Sequence, residues 1–475
     1  MNATILLIVA YIINIISAIS LIFIERKEPT TTWAWLLVLM ILPGIGFLLY
    51  LIFGQNLSRQ KLFREKKVID ERKSRELIEK FKKEKSANNI SNEFIELINM
   101  NYNHSKSLYT TGNDIKVYID GIEKFKQLIE DIRNAKNFIH IEYYIFKLDD
   151  LGKQIINELK KKVDEGLEVR LLVDGMGSKS LRNNHIRYIR DLGIKFNVFF
   201  PGRLPYINMR LNYRNHRKIA IIDGKFGYVG GFNVGNEYIN KGKQFKYWRD
   251  THIRIQGEAV NELNKRFILD WDYASEGEIK DNKKYFLDQE EYGDSGIQIV
   301  SSGPDHKEEY IKNAYMKIIN NAKKNVYIQT PYLVLDEPMA DALKIAALSG
   351  IDVRIMVPGK PDHFFMEWIL SSTMGELMEC GVKIYRYQKG FIHAKTIVAD
   401  GKISTVGTAN LDIRSFQLNF EVNAIIYDSK IAKDLENIFN RDISDCKLVS
   451  LEEYNNRGRA IRIKEALIRL IAPIL

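Results

Sequence analysis

The chain has 475 residues, 45% of them hydrophobic and 11% aromatic, with only 30 Gly and 10 Pro; this excludes a disordered or low-complexity polymer and predicts two domains or one duplicated domain. A formal charge of +10 favours an anionic partner, nucleic acid or an acidic lipid surface, without choosing between them. Cys380 and Cys446 are the only cysteines and neither CxxC nor HxxxH occurs, so no disulfide framework or cysteine-based zinc site is encoded.

Between Ala3 and Ile24 the polar side chains are Thr4, Tyr11, Asn14, Ser17 and Ser20, and a helix of that length crosses a hydrocarbon core of about 30 Å. A second run, Trp33 to Phe53, has no charge; its Pro43, Gly44 and Gly46 are tolerated in a membrane helix whose neighbours satisfy the freed backbone. Met1 and Asn2 supply no basic region, so the first run reads as an anchor rather than a cleaved signal peptide. Arg59, Lys61, Arg64, Lys66, Lys67, Arg72, Lys73 and Arg75 mark the cytoplasmic flank, against which only Arg26 and Lys27 in the short outer loop argue. The expectation is a two-helix transmembrane hairpin over 1–57 and a basic helical connector over 58–105, partly at anionic headgroups, with the catalytic part cytoplasmic.

The remainder is written twice. Asn134-Ala135-Lys136 precedes the strand-like FIHIEYYIF, and Asn321-Ala322-Lys323 precedes VYIQTPYLV; EVRLLVDG answers DVRIMVPG, and LGIKF answers CGVKI. Strands alternating with helices predict two α/β halves, each a mixed sheet covered by helices. The closest match comes last: His216, Lys218, Asp223, Gly230 and Asn233 recur as His393, Lys395, Asp400, Gly407 and Asn410, every pair 177 positions apart (393 − 216). Two copies in register are a specific signal.

Each motif reads as a β-hairpin turning at Asp223-Gly224 or Asp400-Gly401. Side chains two apart on a strand share a face, so each histidine stands beside its lysine, a pairing suited to phosphate. Lysine and asparagine donors stabilise charge on a reacting phosphodiester without a metal or cofactor, and two imidazoles divide nucleophilic from acid–base work. Asp250 and Glu421, each following its own histidine, are placed to orient the rings. For Asp223 and Asp400 a turn-bracing role competes with a catalytic one. Gly230, Gly231 and Gly235 match no nucleotide fingerprint, and His104, His140, His185, His252, His306 and His363 read as structural.

The paired HKD motifs resemble those of the phospholipase D superfamily, and the segment TWAWLLVLMILPGIGFLLYLIFG, YWRDTH, TANLDIRSFQLNFE and the terminal IAPIL resemble its bacterial cardiolipin synthases. The resemblance implies two homologous phospholipase D-like α/β domains packed face to face, over 106–285 and 286–475, after the membrane hairpin. It implies phosphatidyl transfer between two phosphatidylglycerol molecules, giving cardiolipin and glycerol through a phosphohistidine. His216 would then be nucleophile and His393 general acid and base, or the reverse, with Lys218, Lys395, Asn233 and Asn410 on phosphate. The expected partners are phospholipid and the cell membrane, not nucleic acid. One departure stands out: Gly231 occupies the place where many relatives, like Thr408 here, carry a hydroxyl. The basic and apolar RAIRIKEALIRLIAPIL suits either an amphipathic helix on the bilayer or a helix on the domain. A hydrolase, a nuclease of the same superfamily and a membrane scaffold are the rival readings.

Overall fold

Short apolar runs separated by amphipathic helices make a continuous sheet with helices on both faces. The computed structural model describes residues 3–20, 29–42, 44–50, 63–73, 92–200, 212–279, 282–362 and 366–471. The first half contributes β1 (Tyr109–Tyr118), β2 (Phe138–Tyr143), β3 (Glu168–Asp174), β4 (Lys195–Phe199), β5 (Lys218–Ile222), β6 (Phe226–Gly230) and β7 (His252–Gln256). Their order in the sheet is β1-β7-β6-β5-β2-β3-β4. The second half repeats it with β8 (Ser295–Ser302), β9 (Asn325–Gln329), β10 (Asp352–Pro358), β11 (Lys383–Tyr387), β12 (Thr396–Ala399), β13 (Ile403–Gly407) and β14 (Asn419–Tyr427), in the order β8-β14-β13-β12-β9-β10-β11. The duplication read from the motifs is therefore a duplication of topology.

The halves do not stack face to face. Their sheets meet edge to edge, β1 antiparallel to β8 with Thr110 opposite Ile297. Each first strand has an open edge, and pairing the two satisfies both rows of backbone groups. One apolar core runs beneath the seam, uniting Ile253, Phe267 and Trp271 of the first half with Ile297, Val406 and Phe420 of the second. The helices Ala259–Ser275 and Ser429–Ile443 carry part of it.

In the N-terminal region the helix Ala3–Ser20 lies against Pro29–Ile41 and Ile45–Leu49. The Asn14 amide donates to the Leu39 carbonyl at 2.8 Å. Among the described residues no helix is long and apolar enough to cross a membrane. The expected spans extend into residues 21–24 and 51–53, outside the described residues.

The connector is less exposed than its charge suggests. In the helix at 63–73, Phe63 is buried with ring centroids 5.1 Å from Tyr213 and 5.4 Å from Phe420. Lys66 is 1% exposed, 2.6 Å from Asp70 and 3.3 Å from Asp270, while Lys73 pairs with Asp272. Both cations thus reach carboxylates of the helix Ala259–Ser275. At the other end, Arg459–Ile471 packs on Met366–Glu379, with the Lys464 ammonium 5.0 Å from the Trp368 ring, and leaves Ile461 and Ile463 exposed.

Removing one partner of a buried ion pair leaves the other uncompensated. Lys66→Ala is expected to cost about 3 kcal/mol of stability, measured by denaturant unfolding of the detergent-solubilised protein, whereas Lys67→Ala, on the exposed side, changes it by less than about 0.5 kcal/mol.

Candidate active site

Both motif hairpins turn where left-handed backbone is required: φ is 57° at Asp223 and 70° at Gly224, and 57° at Asp400 and 61° at Gly401. The Asp223 carboxylate accepts the N–H groups of Lys136, Asn137 and Phe138 at 2.7–3.1 Å; Asp400 does the same for Lys323, Lys324 and Asn325. Neither residue lines the cavity that holds the histidines, so these two, grouped with the catalytic residues on sequence, fasten each hairpin to the start of the neighbouring strand. Three N–H donors per carboxylate are the reason for an aspartate there.

His216 and His393 share the wall of one cavity of about 400 Å³. Each is held by the opposite half. Residues 214–215 pair in parallel with Asn419 and Phe420, and His216 N–H donates to the Phe420 carbonyl at 2.9 Å. Reciprocally, 248–249 pair with 391–392, and His393 N–H donates to the Arg249 carbonyl at 2.7 Å. The carboxylates follow the same exchange: His216 Nδ1 lies 2.9 and 3.0 Å from the two oxygens of Glu421, and His393 Nδ1 lies 2.6 Å from Asp250. Pairing within each half, the expectation from sequence, is thereby corrected. The cause is the parallel straps, which deliver each carboxylate one residue beyond the two that pair across the seam.

A carboxylate on Nδ1 holds the proton there and leaves Nε2 as the ring nitrogen with a lone pair. Burial pulls both imidazoles down to about 4, opposed at His216 by Glu421 and at His393 by Asp250. Lys218 and Lys395 are buried, 0% and 2% exposed, and each ammonium donates to the carbonyl of its own histidine. Burial lowers Lys218 to about 7 and Lys395 to about 8. Two lysines and two carboxylates are thus buried together around the histidines.

Asn233 and Asn410 line the cavity, but not as a matched pair of free donors. Asn233 accepts from Ile145 N–H at 3.1 Å and donates to the Tyr238 hydroxyl at 3.1 Å, and Asn410 donates to Asp412 at 3.1 Å. The Gly231 departure has a steric origin. A Cβ there would stand 1.9 Å from the Asp250 carboxylate, whereas Thr408 donates its hydroxyl to Glu421 at 2.5 Å. Sequence reasoning passed over Trp248, Arg414 and Asn419, which line the cavity, although YWRDTH and TANLDIRSFQLNFE contained them, and Tyr144 and Tyr332, which hold the same place in the repeated runs FIHIEYYIF and VYIQTPYLV; Arg214 carried no such signal.

Comparison with known proteins follows this geometry. The family described as "Cardiolipin synthase, PLD-like domain" matches residues 128–271 and 315–443, and "Phospholipase_D-nuclease N-terminal" matches 12–55. A cardiolipin synthase of Clostridium perfringens is 51% identical over 457 residues, covering 95% of this chain and 96% of its own. One from Staphylococcus aureus is 48% identical over 475 residues, covering 98% and 96%. Phosphatidylserine synthase from Haemophilus influenzae shares the fold, with TM-score 0.59 and 17% identity over 80% of this chain and 98% of its own.

Two α/β halves that bring a pair of HKD histidines to one cavity define a phospholipase D-type protein. Within that class, the chain belongs to the PLD-like cardiolipin synthase family.

Gly231→Ala is expected to displace Asp250 and lower turnover by about 100-fold or more, while Thr408→Val, losing one hydrogen bond to Glu421, costs about tenfold. Product formation per folded molecule, with circular dichroism as the check on folding, measures both.

Proposed function

We propose that this enzyme is a cardiolipin synthase that transfers a phosphatidyl group from one phosphatidylglycerol to a second, releasing glycerol. The observation that carries the reading is the crossed pair of carboxylate-held imidazoles in one cavity, joined to near full-length similarity with cardiolipin synthases. His216 Nε2 attacks phosphorus; the bond to the glycerol headgroup breaks, and His393 delivers a proton to the departing oxygen. A second phosphatidylglycerol then presents its terminal hydroxyl. His393 removes that proton, the new P–O bond forms, the P–N bond to His216 breaks, and both rings return to their starting state. Burial alone keeps the imidazoles neutral, which suits the nucleophile, and the negative phosphodiester against the same rings works in the other direction, favouring the proton that His393 donates. Lys218 and Lys395, each bonded to the carbonyl of its own histidine, supply positive charge for the developing oxyanions.

The N-terminal helices over 1–57 form the membrane hairpin in this reading, followed by the connector over 58–105 and the catalytic domains over 106–285 and 286–475 on the cytoplasmic side. The exposed Ile461 and Ile463 on a basic C-terminal helix support contact with the lipid surface. A hydrolase shares every catalytic residue and differs in acceptor, so purified enzyme given phosphatidylglycerol is expected to yield cardiolipin in excess of phosphatidic acid.

Acid quenching of the enzyme with phosphate-labelled phosphatidylglycerol is expected to trap label on wild type and none on His216→Ala; label of equal amount on His216→Ala would contradict the assignment. The lysines are charged below their lowered pKa values and lose that charge as pH rises through about 7 and about 8. Accordingly kcat/KM is expected to fall on the alkaline side across that range, read from initial rates at subsaturating lipid; a flat profile to pH about 10, where free lysine titrates, would contradict it.

A further inference from the structure

The cavity wall carries more recognition chemistry than one phosphodiester uses. Asn410 and Asn419, 5% and 6% exposed, both line it. The Asn410 amide nitrogen donates to Asp412 at 3.1 Å and the Asn419 amide nitrogen to Glu421 at 3.2 Å. An ionised carboxylate only accepts, so these partners fix which end of each amide is nitrogen. Both carboxamide oxygens are then left without a hydrogen-bond partner. Such acceptors repel phosphate oxygen and match hydroxyl donors.

Two further cations stand in the same wall, one from each half. Arg214 donates to the Tyr213 carbonyl and Arg414 to the Asn212 carbonyl, both at 2.9 Å, so the single segment 212–214 holds both guanidinium groups. They repel one another, and burial together with Arg214 lowers the pKa of Arg414, only partly opposed by the Asp412 carboxylate in the same wall. An anion lying against both relieves that repulsion and suits their planar donor geometry. Lys218 and Lys395 are a separate cationic group, buried and bonded to the carbonyls of their own histidines.

Cardiolipin contains two phosphodiesters bridged by one glycerol, so an acceptor phosphatidylglycerol brings a second anion and a free hydroxyl beside the reacting phosphorus. Water and free glycerol bring no such charge. Resting on the transfer reaction argued above, we propose that Arg214 and Arg414 bind the phosphodiester of the acceptor lipid while Asn410 and Asn419 take its glycerol hydroxyls, making this the subsite that selects acceptor over water. Because the subsite is assembled from both halves, it is formed together with the histidine pair.

The test uses full-length enzyme in neutral detergent micelles with labelled phosphatidylglycerol as donor and three acceptors: free glycerol, glycerol phosphate and phosphatidylglycerol. Wild type, Arg214→Gln and Arg414→Gln are compared by the ratio of cardiolipin formed to glycerol exchanged, which is independent of the fraction folded. In either variant that ratio is expected to fall about tenfold or more, with KM for phosphatidylglycerol as acceptor raised and transfer to glycerol phosphate impaired alongside it. Equal losses with all three acceptors would assign the arginines to the donor phosphate and overturn the proposal. So would an unchanged ratio, or a loss confined to phosphatidylglycerol, which would point to a contact with the lipid surface instead. Failure of the underlying reading looks different: wild type would then make neither cardiolipin nor exchanged glycerol.

Discussion

Neither imidazole in the cavity is oriented by the half of the chain that carries it. Glu421 holds His216 and Asp250 holds His393, and the backbone N–H of each histidine is bound by a carbonyl from the other side of the seam. A carboxylate fixes a ring tautomer only while it stays within hydrogen-bond distance, so both rings depend on how the halves are joined. The antiparallel pairing of β1 with β8, the parallel straps at 214–215 and 248–249 and the shared core beneath them all maintain that one relation.

The constraint reaches well beyond the cavity. Arg217, between His216 and Lys218, donates to Asp270 at 2.7 Å and to the Glu421 carbonyl at 3.1 Å, tying the first motif to the strand that carries its partner carboxylate. Asp270 also lies 3.3 Å from Lys66, and Phe63 of the same N-terminal helix packs on Phe420, the residue before Glu421. The segment following the apolar helices is therefore part of the foundation of the site. Burying this many charges is costly unless each meets an opposite charge or a hydrogen bond, and burial lowers the pKa of Lys218 and Lys395 even though the Glu421 and Asp250 carboxylates oppose it.

Much of this was legible in the sequence because it is local or repeated. The fixed spacing of the two HKD sets gave the duplication, strands alternating with helices gave the mixed sheets, and Asp-Gly gave the hairpin turns, including the bracing alternative for Asp223 and Asp400 that their three N–H bonds favour. What spacing along the chain cannot express is exchange between halves. Asp250 lies 34 residues after His216 (250 − 216) and Glu421 lies 28 after His393 (421 − 393), so each was assigned to the nearer histidine, whereas the fold sends both across the seam. The edge-to-edge joining was hidden for the same reason, since a strand does not announce its partner. Gly231 looked like a missing hydroxyl until the Asp250 carboxylate was found in the space a side chain would fill.

The crossed pairing is tested most directly by following the ring nitrogens themselves. With histidines labelled by nitrogen-15 in full-length protein, Glu421→Gln is predicted to shift the Nδ1 resonance of His216 and leave that of His393 in place, and Asp250→Asn to do the reverse. Were Asp250→Asn to perturb His216 while His393 stayed unchanged, the carboxylates would belong to their own halves, and the account of a site built across the seam would be wrong.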